Sequence, residues 1–284
     1  MSKLEESLSL EAINKHFIKE AQKPISYTRT YFWWKKFQKI SSLFQKEVKI
    51  KKEPLRIIDI GCGLGSNIFH LNQDFGKENN LEFYGVDLDP SRVYYCNLKK
   101  EEYQTKNTIF NIDNAECLNF PNNNFDILLS IEVLEHLRNP ERAINEFYRI
   151  LKPEGLAIIT TPNQSTLILR LKKLLRPLFL KSWKINSDYP KEIENPNFGL
   201  LGNSHSEIAY GHISVRSLNE WIRIFRDCKF KVEEIKRGAL LFGTPQQDKR
   251  RTIFALVLLI EILLDKLFFL KNLSEDVIIS LRKV

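Results

Sequence analysis

The stretch Leu55-Arg-Ile-Ile-Asp-Ile-Gly-Cys-Gly-Leu-Gly-Ser-Asn67 decides the fold of this chain. It opens with a short apolar run rich in isoleucine, which is typical of a buried strand in a parallel sheet. Three glycines follow at alternate positions, and Ile68, Phe69, Leu71 and Phe75 then recur at helical spacing. A strand, a glycine loop and a helix predict a nucleotide pocket, because glycine lets the backbone approach a ligand and a helix N-terminus attracts anionic groups.

The spacing of the glycines indicates which nucleotide binds. Dinucleotide-binding loops follow the pattern G-x-G-x-x-G, whereas this loop has Gly61, Gly63 and Gly65, with Ser66 at the last position of that pattern. An acidic residue, Asp59, precedes the loop on the strand. This D-x-G-x-G-x-G stretch resembles the first motif of class I S-adenosylmethionine-dependent methyltransferases, in which the loop holds the methionine end of the cofactor.

Further motifs extend the resemblance over residues 54 to 162. Asp87 ends a second predicted strand about 20 residues beyond the loop, where a carboxylate can accept hydrogen bonds from ribose hydroxyls. The runs 125–137 and 151–155 resemble motifs of the small-molecule methyltransferase group that includes the ubiquinone and menaquinone enzymes. The resemblance implies that Asp113 lies near the adenine amine. The cofactor-binding residues that we predict are Asp59, Gly61, Cys62, Gly63, Gly65, Asp87, Leu88, Asp113, Ala115 and Ser130.

The fold class follows from the alternation of strands and helices. Right-handed crossovers between successive strands predict a Rossmann-like, doubly wound α/β fold, and the resemblance implies a mostly parallel seven-stranded sheet with one antiparallel strand inserted beside the fifth. We expect four parts: an N-terminal helical cap at 1–50, an S-adenosylmethionine-binding core at 51–162, a helical lid or substrate insertion at 163–211, and a C-terminal completion of the core with a hydrophobic helix at 212–284.

The N-terminal part is strongly aromatic between residues 31 and 44, which predicts a helix. One interpretation is a helix packed against the sheet edge. The other is a cap over the substrate, with Tyr27, Arg29 and Tyr31 facing the pocket. The basic run 46–52 is expected to be a solvated linker into the first strand.

Two apolar segments follow the predicted core. The insertion at 163–211 is longer than most loops that have neither secondary structure nor a function of their own. At 166–186 its sequence would place leucines on one helical face and cations on the other. This pattern favours either a lid with a solvated basic face or contact with a membrane surface. The tail at 252–270 is interrupted by Glu261, Asp265 and Lys266, so its uncharged run is too short to span a bilayer.

The composition bounds the class of protein and its compartment. A net charge of +8 favours anionic partners without choosing among them. Four widely separated cysteines disfavour a disulfide framework or a zinc site and fit a reducing compartment. The N-terminus lacks the apolar run of a signal peptide. We therefore expect a cytoplasmic protein, with peripheral contact at the inner face of the membrane left open.

Two histidines are the favoured candidates for catalysis, ahead of His205 and Glu135. A general base is needed only if the acceptor must lose a proton, and His136 after the fourth strand and His212 after the insertion are placed for it. We expect no metal, although Glu132, Glu135 and His136 form an E-x-x-E-H array of the kind that holds a divalent ion in some relatives. Such oxygen and imidazole ligands suit Mg²⁺, Mn²⁺ or Zn²⁺.

The sequence thus predicts an S-adenosylmethionine-dependent methyltransferase acting on a small-molecule, lipid-linked or glycan-linked acceptor, with O-methylation favoured. RNA methylation is disfavoured, since we recognise no RNA-binding module and no Asn-Pro-Pro-aromatic tetrad after the fourth strand. The glycine spacing opposes an NAD oxidoreductase. A non-catalytic scaffold that kept the cofactor fold is the alternative from another class. The oligomeric state is not predicted.

Overall fold

The computed structural model describes residues 27–51, 54–76, 80–163, 212–238 and 276–284, together with Leu259 and Leu263, with side chains from Trp33 onwards. The predicted basic amphipathic segment, the hydrophobic tail helix and the pocket-facing side chains near the N-terminus lie outside these residues. Within the described ranges, no helix is long and apolar enough to cross a membrane.

Seven strands form one sheet. In chain order they are β1 Leu55–Ile60, β2 Leu81–Asp87, β3 Thr108–Ile112, β4 Phe125–Ile131, β5 Leu151–Pro162, β6 Phe230–Arg237 and β7 Asp276–Lys283. Their order across the sheet is β3-β2-β1-β4-β5-β7-β6. Strand β7 runs antiparallel to both β5 and β6, and the other pairs are parallel. The predicted fold class is therefore confirmed, including the antiparallel strand beside the fifth.

Among the described residues, five helices and one short 3-10 helix flank the sheet. They are α1 Tyr27–Ile50, α2 Ser66–Phe75, α3 Pro90–Tyr103, α4 Pro140–Ile150 and α5 Leu218–Asp227, with the 3-10 helix at Leu134–His136. Local sequence sets where α3 and α5 begin. The Asp89 carboxylate accepts the backbone N–H of Ser91, and Ser217 and Glu220 form a capping box.

The two faces of the sheet carry separate apolar layers. Helices α4 and α5 cover one face, where Phe147, Trp221 and Phe225 are completely buried. Helices α1, α2 and α3 cover the other face, where Ile68 and Phe83 are completely buried. Because both faces are covered, the central strands are mostly apolar on both faces rather than alternating.

Helix α1 is part of the core, and two predictions about its region are wrong. The ring of Phe44 lies 5.4 Å from that of Phe75 and 6.3 Å from that of Phe83, so the helix packs on the face of the sheet and not at its edge. The run that begins at residue 46 is not a solvated linker. Val48 is buried in the core, and Glu47 accepts hydrogen bonds from Arg282 of β7 at 2.7 and 3.0 Å.

The strand order reverses between β1 and β4, which lie side by side in the sheet. In open parallel sheets, ligands bind outside the carboxyl ends of the strands at such a reversal. The loops that follow β1, β2 and β4 therefore face one crevice.

Candidate active site

The glycine loop after β1 is held in a left-handed conformation. Gly61 and Gly63 have φ angles of +71° and +56°, which L side chains rarely adopt. A Cβ at Gly61 would lie 2.5 Å from the Val133 side chain, so this glycine lets the two loops touch. A Cβ at Gly63 would have nothing within 4 Å, so the backbone there borders open space. A ligand can therefore approach the loop at Gly63.

Asp87 ties the glycine loop to the end of β2. Its carboxylate accepts the backbone N–H of Gly63 at 2.9 Å and that of Asp89 at 3.0 Å, and Arg92 lies 3.7 Å away. An ionised carboxylate has about four acceptor positions. Asp87 therefore keeps acceptor capacity for ribose hydroxyls while it fixes the loop.

Asp59 lies completely buried beneath the glycine loop. Asn67 donates a hydrogen bond to one carboxylate oxygen at 3.3 Å, while the other oxygen has no hydrogen-bond partner among the described residues. Burial raises the pKa of Asp59 to about 7, although the Asn67 hydrogen bond acts in the opposite direction. The site thus holds a carboxyl group that can change its charge near neutral pH.

The predicted adenine loop begins at Asp113. This residue lines a cavity of about 430 Å³ together with Val93, Phe110 and Phe120. Its carboxylate accepts the backbone N–H of Asn114 and both the backbone N–H and the side-chain amide of Asn119. Asp113 therefore shapes the loop that borders the cavity, as well as lying at its wall.

Helix α4 holds this loop in place. Arg149 donates hydrogen bonds to the backbone carbonyls of Leu118 and Phe120 at 2.8 and 2.6 Å, and Glu146 accepts the N–H of Leu118. Their mutual ion pair, 2.8 Å, lowers the pKa of Glu146. The cavity wall is thus fixed from the opposite side by two charged residues of one helix.

The remaining predicted cofactor residues differ in exposure. Leu88 is exposed beside Asp87, and Ala115 is half-buried in the adenine loop. Cys62 is buried, and its contact with Cys96 together with burial raises the pKa of its thiol. Ser130 is completely buried within β4, and among the described residues its hydroxyl has no hydrogen-bond partner.

Glu132 follows β4 and lies near Glu135 of the predicted E-x-x-E-H array, but its carboxylate is paired elsewhere. Its carboxylate lies 2.9 Å from the Lys36 ammonium and accepts the Thr160 hydroxyl at 2.7 Å. Burial opposes the charged form, but Lys36 outweighs it, and the pKa of Glu132 lies below its ordinary value. Glu132 is therefore a negative charge paired with helix α1.

Glu135, His136 and His212 form a cluster next to Glu132. The two imidazole rings meet edge to face with centroids 4.9 Å apart, and His136 Nε2 lies 4.0 Å from a Glu135 carboxylate oxygen. The backbone explains this meeting, because the carbonyl of Glu135 accepts the N–H groups of Ile213 and Ser214 at 2.8 and 2.9 Å. The segment after the insertion thus crosses directly over the 3-10 helix.

Burial controls the protonation of this cluster. Glu135 is completely buried, and neither of its carboxylate oxygens has a hydrogen-bond partner among the described residues. Burial and the nearby Glu132 hold the pKa of Glu135 well above its ordinary value. Burial and the nearby His136 lower the pKa of His212. Both shifts favour the uncharged form: Glu135 keeps its proton to a higher pH than an exposed glutamate does, and His212 is a neutral imidazole at neutral pH that can accept a proton.

Within the part of the chain that the structure describes, the same three residues form the group that could hold a metal ion. One ligand atom from each of Glu135, His136 and His212 lies within 4.8 Å of the others. Glu132 does not belong to this group, because its carboxylate faces Lys36 and Thr160. The predicted array of Glu132, Glu135 and His136 is thus replaced by a group in which His212 takes the place of Glu132.

A larger cavity of about 880 Å³ lies between α2 and α3. It is lined by residues such as Phe69, Tyr95, Lys99 and Tyr103 and by none of the predicted site residues.

The model of one protein family, described as a methyltransferase domain, matches residues 32–235, more than half of the chain. The chain belongs to this family. The assignment confirms the predicted resemblance to class I S-adenosylmethionine-dependent methyltransferases, and with it the predicted cofactor.

Similar proteins differ in the atom that their names say they methylate. The chain is 27% identical over 157 residues to a probable tocopherol O-methyltransferase from Oryza sativa subsp. japonica, covering 51% of this chain and 42% of that protein. It is 31% identical over 111 residues to a phosphoethanolamine N-methyltransferase from Plasmodium falciparum, covering 38% and 39%. The chain thus spans less than half the length of either relative.

A solved structure shows the same fold. Phosphoethanolamine N-methyltransferase 2 of Haemonchus contortus, in complex with S-adenosyl-L-methionine, matches 86% of this chain and 52% of its own with a TM-score of 0.52 and 14% identity. Three features here fit such a cofactor: the open space at Gly63, the unpartnered buried oxygen of Asp59 and the cavity beside Asp113.

Sequence reasoning missed Lys36 and Thr160, which hold Glu132, and it missed the meeting of His212 with Glu135. In the sequence, Lys36 is marked only as one of two adjacent lysines inside the aromatic run Tyr31 to Phe37, where an apolar helix face is expected. The residues in contact with Glu132 are 96 and 28 positions away in the chain, so no local pattern marks them.

We predict that Asp59→Asn stabilises the cofactor-free protein increasingly as the pH rises from about 4 to about 7. The folded state holds the Asp59 proton more tightly than the unfolded state, so the wild-type free energy of unfolding falls across this range. The limiting slope is about 1.4 kcal/mol per pH unit, and urea unfolding at several pH values measures it. Asp74→Asn, an exposed carboxylate on α2, is the control. A constant difference between Asp59→Asn and wild type across this range would contradict the assignment.

Proposed function

We propose that this protein transfers the methyl group of S-adenosylmethionine to a small-molecule acceptor. The observation that carries the proposal is the arrangement of Gly63 and Asp87 at adjacent strand ends, with open space above the loop. The family assignment and the adjoining cavity beside Asp113 support it. A non-catalytic scaffold needs neither an open glycine loop nor a carboxylate with spare acceptor positions.

The chain's residues have separate tasks in this proposal. The loop from Gly61 to Gly65 binds the methionine end, Asp87 accepts hydrogen bonds from the ribose, and the loop at Asp113 borders the adenine. The cofactor supplies an electrophilic methyl group on a sulfonium. The chain's main task is to align the acceptor and exclude water, since alignment can supply effective molarities of about 10⁵–10⁸ M.

His212 and His136 are the residues proposed to take a proton from the acceptor. They lie beyond the carboxyl end of β4, and His212 is half-buried with a lowered pKa. A neutral imidazole at neutral pH can remove a proton from a hydroxyl acceptor, whereas an amine acceptor with a free lone pair needs no base before transfer. The presence of this pair favours O-methylation over N-methylation.

The finer identity of the acceptor is also part of the proposal. A lipid-linked or glycan-linked molecule is favoured by the basic amphipathic sequence at 166–186 and the net charge of +8. Each cation near an anionic membrane surface adds about 1 kcal/mol to binding. The proposed location is the cytoplasm, and peripheral contact at the inner face of the membrane is the alternative to a segment 166–186 that serves only as a lid.

Transfer is proposed to need no metal. Burial disfavours the ionised form of the Glu135 carboxyl group, and a carboxyl group must give up its proton to bind a metal ion. Treatment with EDTA should therefore leave transfer unchanged. A loss of transfer that Mg²⁺, Mn²⁺ or Zn²⁺ restores would instead assign the cluster of Glu135, His136 and His212 to metal binding.

We predict that calorimetry detects micromolar binding of S-adenosylmethionine and S-adenosylhomocysteine, and none of NAD. Asp87→Asn should weaken both by at least about tenfold, since hydrogen bonds to a charged group contribute about 1.5–3 kcal/mol. Asp74→Asn again serves as the control. If the wild-type protein bound neither S-adenosylmethionine nor S-adenosylhomocysteine, the non-catalytic scaffold would become the favoured alternative.

We predict that His212→Ala lowers kcat about 100-fold or more, because general-base catalysis typically contributes about 10²–10⁴-fold. The acceptor for this assay comes from a screen of lipid extracts and small phenols with radiolabelled cofactor. Affinity for S-adenosylhomocysteine should not change. Equal turnover by wild type and His212→Ala would remove His212 from the catalytic machinery, and the same assay on His136→Ala separates the roles of the two rings.

A further inference from the structure

A buried cation connects helix α1 to the loop that follows β4. The Lys36 side chain is only 2% exposed, and its ammonium lies 2.9 Å from Glu132 and 2.8 Å from Asp276. Burial opposes the charge on Lys36, yet the two carboxylates raise its pKa above its ordinary value. The ammonium thus bridges one carboxylate of the crevice and one at the start of β7.

Glu132 is held in a conformation that needs such support. Its φ angle is +58°, which a residue with a side chain keeps only where surrounding contacts impose it. Its backbone N–H lies 3.2 Å from the carbonyl and 3.1 Å from the hydroxyl of Thr160. Lys36 and Thr160 together hold both the backbone and the carboxylate of Glu132.

The next residue, Val133, touches the glycine loop. The position that a Cβ would take at Gly61 lies 2.5 Å from one methyl carbon of Val133 and 3.2 Å from the other. A shift of the backbone at Glu132 would therefore move Val133 relative to Gly61. The contacts run without a gap from Lys36 through Glu132 and Val133 to the loop.

We propose that Lys36 is a positioning residue that couples the docking of helix α1 to cofactor binding by holding Glu132 and Val133 against Gly61. The inference rests on the proposed function, because it takes the glycine loop to be the cofactor site. Coupling of this kind is reciprocal: if docked α1 strengthens cofactor binding, the bound cofactor must stabilise α1 by the same factor.

A second buried ion pair on the same helix provides a matched control. Glu47 is 3% exposed and binds Arg282 of β7, so it anchors the C-terminal half of α1 to the strand whose first residue is Asp276. Among the described residues, Glu47 makes hydrogen bonds or ion pairs with Arg282 and Lys51 and with neither the glycine loop nor Glu132. Glu47→Gln should loosen α1 without cutting the connection to the cofactor site.

Hydrogen exchange of the full chain, with and without S-adenosylhomocysteine, tests the proposal. In wild type, the cofactor product should slow exchange of backbone amides in residues 33–50 by at least about fivefold, the lower range of typical couplings. Lys36→Met should lose this protection and bind S-adenosylhomocysteine more weakly by a similar factor. Glu47→Gln should exchange faster overall but keep both the protection and the affinity.

Glu132→Gln keeps the test decisive if Lys36→Met does not fold. This substitution removes the negative charge that pairs with Lys36 in the crevice and leaves the ion pair between Lys36 and Asp276 intact. Helix α1 should therefore remain docked, while S-adenosylhomocysteine no longer slows exchange of its amides. Wild-type protection and affinity in Lys36→Met or Glu132→Gln would overturn the proposal, as would an equal loss in Glu47→Gln. Failure of wild type to bind S-adenosylhomocysteine would instead overturn the proposed function, and the inference with it.

Discussion

The hydrogen bond from the Gly63 N–H to the Asp87 carboxylate, 2.9 Å long, is the contact on which the crevice depends. It joins the loop after β1 to the end of β2, and the neighbouring N–H groups of Gly61 and Cys62 strengthen the junction by bonding to the Val86 carbonyl. The left-handed backbone at these glycines then follows from geometry, since the chain must turn within a few residues from a buried strand into helix α2. A side chain at Gly61 would push Val133 away, so the loop after β4 can lie against the glycine loop only because Gly61 has none.

Burial determines which acidic groups of the crevice carry charge. Asp59 and Glu135 are both completely buried, and burial raises the pKa of each. Glu132 stays ionised because Lys36 compensates for its burial. Burial thus favours the neutral form of two acidic groups of the crevice, while Glu132 keeps its negative charge. This distribution suits a site that binds a cationic cofactor while keeping a neutral imidazole beside the acceptor.

Local pattern was enough to predict most strands of the sheet and the glycine loop after β1, because both depend on residues close in sequence. The strand from Leu55 to Ile60, its glycines and Asp87 are each specified within short windows, and the antiparallel last strand followed from the family resemblance. The misplaced parts depend on long-range contacts. Residues 46–50 look basic and solvated in sequence, yet Val48 packs in the core and Glu47 pairs with Arg282, 235 positions away. The E-x-x-E-H array likewise divides, because Glu132 turns towards Lys36 while His212 comes from beyond a long insertion to meet Glu135 and His136.

The central claim is that one crevice at the carboxyl ends of β1, β2 and β4 binds S-adenosylmethionine. A crystal structure of the protein with S-adenosylhomocysteine tests it most directly. The account predicts the ligand over Gly63, with ribose hydroxyls bonded to Asp87 and the base in the cavity beside Asp113. A ligand seated instead in the larger cavity between α2 and α3, or an empty crevice in a crystal grown at saturating ligand, would contradict it.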